Sequence, residues 1–339
     1  MTPDPQMKTI LDQMKAAGWR PTHTLSVAEA RQAFKSRIAK GAPVARTVDR
    51  AIPGPAGDIP VRIHWPAGTG PFPALVFFHG GGWVIGDLDT HDVTCRSLTN
   101  QAGCVTVSVD YRLAPEHKFP AAVDDSYAAT RWVADHAAEL GVDASKIAVG
   151  GASAGGNLAT VVGLMGIEES GPALVFQLLI YPVTDAALDT PSARAVTSDE
   201  YPLTRADMEW FWRHYLRGDA DRRHPYASPA LAKSLAGLPP ALVITAEIDP
   251  LCDEGERYAA ALERAGVAAA CTRYGGVTHG FVGMEALLDK GRAAVAESAA
   301  ALRSAFISPS PPNGGEGRVR GPIGGVSQDT SRFSGERSA

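Results

Sequence analysis

The residues best suited to chemistry in this 339-residue chain lie in a short turn centred on Ser153. Residues 151–155 read Gly-Ala-Ser-Ala-Gly, a G-x-S-x-G pattern, and they follow the apolar run 146–150. The apolar run predicts a strand, and the small residues around the serine permit a sharp turn into a helix. A serine held in such a turn projects its hydroxyl from the sheet edge, where it acts as a nucleophile if a base takes its proton. The same pattern also fits an ordinary tight turn, so residues elsewhere must decide.

Two further residues would complete the set that a serine nucleophile requires, a histidine to accept its proton and a carboxylate to orient that histidine. Asp249 follows the apolar run 241–246, and His279 lies in a glycine-containing segment before the last predicted helix. The three residues occur in the α/β-hydrolase chain order of serine, acid and histidine. Because ligands bind at the carboxyl ends of strands in open α/β sheets, we expect the three side chains to converge at one edge.

Neighbouring residues offer alternatives for the acid and the base. Glu247 and Asp253 compete with Asp249, although Asp253 is expected in the first turn of a helix, where a carboxylate suits the helix dipole. His79 is expected to brace a glycine loop by hydrogen bonding, because the base must follow the acid in this chain order. The other histidines are assigned no role: His23, His64, His91, His117, His136, His214 and His224.

A glycine triplet supplies candidate donors for the negative oxygen of a tetrahedral intermediate. It follows the apolar run 74–78 and His79, and consecutive glycines let backbone N–H groups turn toward one point. We predict that Gly81, Gly82 and Ala154 form this oxyanion hole, with the neighbouring Gly80 as an alternative. A nucleotide-binding loop is disfavoured, because neither glycine-rich stretch reads G-x-G-x-x-G and no Lys-Ser/Thr follows.

Alternating strand and helix patterns must position these residues. Apolar or β-branched runs predict strands, beginning with a hairpin, at 48–52, 59–65, 74–78, 104–109, 146–150, 173–182, 241–246 and 268–274. Helices are predicted at 89–101, 121–140, 254–265 and, after the last strand, to about 306. This order predicts an α/β fold with a mostly parallel central sheet and helices on both faces.

We assign the alternating strands and helices to a catalytic domain at 46–307. Three segments do not follow the alternation: one precedes the domain, one is inserted in it and one follows it. Residues 1–45 mix short helical signals with proline and glycine and predict attached N-terminal helices. Residues 185–225 are polar and aromatic and predict a helical insertion. Residues 308–339 are rich in Pro, Gly, Ser and Arg, which predicts a disordered tail.

Aromatic residues near the glycine loop and in the insertion are candidates for a substrate pocket. Trp83 directly follows the glycines, so we expect it to line the pocket. Tyr201 and Phe211 are further candidates, although aromatics at helical spacing more often pack on one another.

Composition excludes several classes of partner. The net charge is −5, and Lys and Arg are scattered, so neither nucleic acid nor an anionic membrane is implied. The apolar run 173–180 is too short to span a bilayer, and the first residues lack the apolar core of a signal peptide. The four cysteines form no C-x-x-C pair and are expected to be buried free thiols. We therefore expect a cytoplasmic protein.

Five stretches together resemble the hormone-sensitive-lipase-like serine esterases, called family IV among microbial enzymes. They are residues 79–83 (HGGGW), 110–116 (DYRLAPE), 151–159 (GASAGGNLA), 249–254 (DPLCDE) and 279–281 (HGF). The resemblance implies an α/β-hydrolase core, a helical cap made from the N-terminal segment and the insertion, no cofactor or metal, and carboxylic esters as substrates. It is also compatible with a homodimer. Ala152 departs from the Asp or Thr commonest in the family, which leaves the subgroup open; it transfers no proton, so activity is expected to remain.

These observations predict a carboxylesterase for short-to-medium acyl esters, with Ser153 as nucleophile, His279 as base and Asp249 as its orienting acid. The same site could act on an amide, carbamate, lactone or acetylated sugar, and a panel of matched esters and amides would separate these reactions. A non-catalytic ligand-binding protein on the same fold, as in the plant gibberellin receptors, is the alternative of another class. Those receptors have lost the catalytic histidine, so the presence of His279 favours the enzyme.

Overall fold

The computed structural model describes residues 1–36 and 41–308, and its centre is one sheet of eight strands. The strands are β1 (Arg46–Gly54), β2 (Gly57–Trp65), β3 (Phe72–Phe78), β4 (Val105–Val109), β5 (Val142–Ala152), β6 (Leu174–Ile180), β7 (Ala241–Ile248) and β8 (Ala269–Thr278). Their order across the sheet is β1-β2-β4-β3-β5-β6-β7-β8. β2 pairs antiparallel with β1 and β4, and the strands from β4 to β8 pair in parallel. The prediction of a mostly parallel α/β sheet is confirmed.

Helices cover both faces of this sheet. The described residues contain ten α-helices: α1 (Pro5–Ala16), α2 (Val27–Lys35), α3 (Asp92–Ala102), α4 (Ala121–Asp135), α5 (Ala137–Leu140), α6 (Ala154–Glu168), α7 (Pro191–Ala195), α8 (Arg205–Tyr215), α9 (Cys252–Arg264) and α10 (Asp289–Ile307). The apolar residues of β3 alternate between two cores: Val76 and Phe78 pack with α4, α6 and α9, whereas Leu75 and Phe77 pack with α1, α3 and α10. A strand buried on both faces reads as a continuous apolar run, which is the pattern seen in the sequence.

Several elements differ from their predicted bounds, among them the helix predicted at 121–140 and the last strand. The helix predicted at 121–140 is divided at His136, whose backbone leaves the helical region while its Nδ1 lies 2.9 Å from the carbonyl oxygen of Trp132. β8 continues to Thr278, four residues past its predicted end at 274, so His279 directly follows the strand. The side chain of Glu247 in β7 accepts a hydrogen bond from the N–H of Gly276 at 2.6 Å, which holds the two glycines of β8 against the sheet.

Helices occur in both segments predicted outside the core. Residues 1–36 contain α1, a 3₁₀ turn at Thr22–Thr24 and α2, and the insertion contains α7 and α8. The two segments touch, because Nδ1 of His23 lies 2.9 Å from the carboxylate of Asp207 in α8. The division into cap and catalytic domain stays a prediction. The predicted tail lies outside the described residues beyond Ser308.

The cysteine prediction is correct for three of the four residues. Cys95, Cys104 and Cys252 are buried free thiols, but Cys271 is exposed. The reason is its place in β8, which is the last strand of the sheet and has no described strand on its other side. Across residues 1–36 and 41–308, no helix is both long and apolar enough to cross a bilayer.

Candidate active site

Ser153 occupies the turn between β5 and α6, and its backbone has a conformation that residues other than glycine rarely adopt. Its φ is 58° and its ψ is −119°. The flanking glycines are required by close backbone contacts: a Cβ on Gly155 would lie 1.9 Å from the carbonyl oxygen of Phe78, and one on Gly151 would lie 2.4 Å from the backbone of Gly155. Strained backbone of this kind clusters at active sites. The G-x-S-x-G pattern therefore forms the predicted sharp turn.

The three residues of the predicted triad lie in one chain of hydrogen bonds. Oγ of Ser153 is 3.0 Å from Nε2 of His279, and Nδ1 of His279 is 2.6 Å from Oδ2 of Asp249. Asp249 is fully buried, and its other carboxylate oxygen accepts the N–H of Leu251 at 2.9 Å. This geometry allows the imidazole to take the serine proton while the carboxylate fixes its tautomer.

The competing carboxylates are engaged elsewhere. Glu247 accepts the N–H of Gly276, and Oδ2 of Asp253 accepts the N–H of Ser192 at 2.7 Å. Of the three described carboxylates, the one hydrogen-bonded to His279 is that of Asp249, as the sequence order indicates.

The glycine loop presents two free N–H groups beside the nucleophile. Gly81 and Gly82 have φ values of 121° and 57°, and neither N–H group, nor that of Ala154, donates to a protein acceptor within the described ranges. Their neighbour Gly80 lies close to the serine, because a Cβ on it would be 3.4 Å from Cβ of Ser153. Its own N–H is used, since it donates to Nε2 of His91 at 3.1 Å. Gly81, Gly82 and Ala154 remain the candidates for the oxyanion hole.

His79 braces this loop from behind. Its Nδ1 lies 2.8 Å from the carbonyl oxygen of Gly80, and the ring of Tyr111 stacks on it with centroids 4.3 Å apart. The hydroxyl of Tyr111 donates to the backbone carbonyl of His79 at 2.8 Å. Burial lowers the pKa of His79 to about 4, so its imidazole is neutral near pH 7.

The three predicted pocket residues have different surroundings. Trp83 is fully buried and stacks on Tyr215 of α8 with ring centroids 4.1 Å apart, and its place in the substrate pocket stays a prediction. Phe211 does lie at the site, because a Cβ on Gly82 would be 2.2 Å from its Cδ1. Tyr201 is half-buried and has no ring contact with the site in the part of the chain described.

Two residues at the site were not found from the sequence. The ring of Tyr181 packs against His279 with centroids 4.5 Å apart, and Tyr181 directly follows β6 with a φ of 35°. Its place after a buried strand, at the same sheet edge as the triad, was an available signal. His91 accepts the N–H of Gly80, and nothing in its local sequence indicates this.

Glu254, in the segment that follows Asp249, is a buried acid that supports the chain after β6. It is 3% exposed, and its Oε1 accepts the backbone N–H of Thr184 at 2.7 Å, while its Oε2 has no hydrogen-bond partner within the described ranges. Burial raises the pKa of Glu254 well above its usual range. Between the ordinary pKa of about 4.5 and the raised pKa of the folded state, the folded chain keeps this proton while the unfolded chain loses it. The free energy of unfolding is therefore highest, as far as this group is concerned, below about pH 4.5, and it falls as the pH rises through this range.

We therefore expect Glu254→Gln to gain thermal stability relative to the wild type as the pH rises from about 4.5 to about 8.5. Glutamine keeps the acceptor for Thr184 and has no proton to lose. The measurement is the Tm of both proteins across this range, with the exposed Glu263→Gln as the matched control. If the difference in Tm between Glu254→Gln and the wild type stays constant with pH, the carboxyl of Glu254 has the same pKa in the folded and the unfolded chain, and the expectation is wrong.

The fold and the site define an α/β hydrolase with a serine nucleophile, and comparisons with known proteins agree. A family model described as the α/β-hydrolase fold matches residues 75–283. The carboxylic ester hydrolase LipN of Mycobacterium tuberculosis is 48% identical over 76% of this chain and 69% of its own. The ethyl acetate hydrolase of Pseudomonas putida is 39% identical over 80% of this chain and 87% of its own. Among solved structures, a hyperthermophilic esterase of Pyrobaculum calidifontis superposes with a TM-score of 0.86 at 45% identity, covering 91% of this chain and all (100%) of that one.

The chain belongs to the α/β-hydrolase family, in its hormone-sensitive-lipase-like branch. It is a serine ester hydrolase. The resemblance that the five sequence stretches indicated is confirmed.

Proposed function

We propose that this enzyme hydrolyses carboxylic esters of short-to-medium acyl chain through an acyl-enzyme on Ser153. The observation that carries the proposal is the continuous chain of hydrogen bonds from Ser153 through His279 to the buried Asp249. A serine hydroxyl becomes nucleophilic when a base so placed accepts its proton in the transition state.

In the first half of the reaction, Oγ of Ser153 attacks the ester carbonyl carbon and Nε2 of His279 accepts the hydroxyl proton. The negative oxygen of the tetrahedral intermediate takes hydrogen bonds from the N–H groups of Gly81, Gly82 and Ala154. His279 then gives its proton to the leaving alcohol. Water repeats the sequence on the acyl-enzyme, and the acid is released.

The insertion residue Phe211 supports the limit on acyl length. Its ring packs against the α-carbon of Gly82 in the glycine loop, and 5% of its surface is exposed. A relative that is 39% identical is named for a two-carbon acyl ester, ethyl acetate. In a series of p-nitrophenyl esters, we expect kcat/KM to be highest between acetate and hexanoate and to fall steeply toward palmitate.

The decisive experiment is covalent labelling by a p-nitrophenyl phosphonate, followed by intact-mass and peptide analysis. One phosphonyl group should be added, on Ser153, with loss of butyrate ester turnover in step with labelling. Turnover that persists after complete labelling, or an adduct on another residue, would contradict the proposal.

We also propose a cytoplasmic location and a homodimer. The four cysteines, all within the described ranges, form no disulfide, which suits a reducing compartment. Cell fractionation tests the location and light scattering the oligomeric state; a periplasmic or monomeric result would contradict the respective proposal.

A further inference from the structure

His91 is a polar residue beside the catalytic centre that the triad does not use. It directly precedes α3, is half-buried, and packs with ring centroids 6.2 Å from Phe34 and 6.4 Å from Phe77. Its Nε2 accepts the N–H of Gly80 at 3.1 Å. Gly80 begins the glycine triplet, so this hydrogen bond joins a fixed side chain to the loop that holds the candidate oxyanion donors.

The hydrogen bonds around His91 define its tautomer. The hydroxyl of Thr90 donates its single proton to the carbonyl oxygen of Asp87 at 2.8 Å. The same hydroxyl oxygen lies 3.1 Å from Nδ1 of His91, so it must accept a proton from that nitrogen. Nδ1 therefore carries the hydrogen, and Nε2 has the lone pair that Gly80 requires. Burial lowers the pKa of His91, which keeps the ring neutral.

The hydrogen bond to His91 affects the direction of three neighbouring N–H groups, those of Gly80, Gly81 and Gly82. Glycine has more backbone freedom than any other residue, so three in a row do not fix their own orientation. With the N–H of Gly80 turned to His91, the N–H groups of Gly81 and Gly82 are the ones left without an acceptor in the described chain. Donors act in catalysis only if they point to the developing charge before the reaction begins.

We propose that His91 is a positioning residue of the oxyanion loop, which as a neutral acceptor holds Gly80 N–H and directs Gly81 and Gly82 to the tetrahedral intermediate. This inference rests on the proposed esterase function. It assigns His91 no contact with substrate and no proton transfer.

The test compares His91→Phe with His91→Gln. Phenylalanine keeps the ring contacts but removes the acceptor, whereas the amide oxygen of glutamine reaches the position of Nε2. For p-nitrophenyl butyrate, His91→Phe should lower kcat by about 10- to 100-fold and change KM by less than about threefold, because the lost stabilisation acts in the transition state. His91→Gln should recover kcat to within about threefold of the wild type.

Further readouts separate positioning from general damage. The acidic limb of the kcat/KM profile should not move in His91→Phe, since His279 keeps its bond to Asp249. The exposed His117→Gln is the control, and end-point phosphonate labelling counts the folded active sites. If His91→Phe does not fold, Thr90→Val removes the acceptor of Nδ1–H and should lower kcat by about 3- to 10-fold.

Equal kcat in His91→Phe and the wild type, or no recovery in a folded His91→Gln, would overturn the inference. So would an unchanged kcat in Thr90→Val where that variant replaces His91→Phe. Failure of the proposed function looks different, because the wild type itself would then not turn over the ester or be labelled on Ser153.

Discussion

Replacing Ser153 by alanine should lower kcat on a short p-nitrophenyl ester by roughly 10⁴- to 10⁶-fold, the loss that serine hydrolases show when the nucleophile is removed. The reason is that Oγ is the attacking atom in the proposed mechanism, and His279 has no other hydroxyl within hydrogen-bond distance among the residues described. The oxyanion donors and the binding site remain, so a small residual rate over water is expected. Steady-state turnover and the loss of phosphonate labelling measure the effect.

A matched variant at the same position, Ser153→Gly, separates chemistry from backbone strain. At φ 58° and ψ −119° a side chain costs about 1–3 kcal/mol of stability, and glycine relieves this at an entropic cost of about 0.5–1 kcal/mol. Both variants should be inactive, but the glycine variant should melt at a higher temperature than the alanine variant. Alanine activity above a tenth of the wild-type kcat, or a glycine variant that melts lower, would contradict the assignment.

The arrangement of the proposed triad was predictable because each member lies just after a buried apolar strand. In a parallel sheet those strand ends share one edge, so Ser153, Asp249 and His279 had to be neighbours once the strands were recognised. The end of β8 was not predictable in the same way. Gly275 and Gly276 read as a loop, and tertiary hydrogen bonds to Glu247, Asp4 and Lys290 hold them in the strand.

Trp83 shows why adjacency in sequence does not determine which way a side chain points. Its φ of 60° is rare for a large residue, and its ring is buried against Tyr215 and Trp212 of α8. Phe211, on the same helix, lies instead against Gly82. The aromatic pattern predicted that such residues pack on one another, but it could not predict which one reaches the site.

Replacing Asp249 by asparagine should lower kcat by about 10⁴-fold, as loss of the orienting carboxylate does in serine proteases. In Asp249→Asn, the side-chain oxygen remains the acceptor for the N–H of Leu251, which leaves the new amide nitrogen facing Nδ1 of His279. An N–H donor at that point requires Nδ1 to be the acceptor, so the imidazole proton moves to Nε2. Nε2 then faces Ser153 with a proton instead of a lone pair and cannot act as the base.

Asp253→Asn is the matched control, because Asp253 has the same chemistry four residues further along and bonds to Ser192 instead of His279. We expect its kcat to stay within about threefold of the wild type, since no proton-transfer group is touched. Both variants keep their volume, and Tm measurements establish that both are folded. Equal losses in the two variants would mean that the segment, not the carboxylate at position 249, matters. A large loss confined to Asp249→Asn means that this one carboxylate determines which nitrogen of His279 carries the proton.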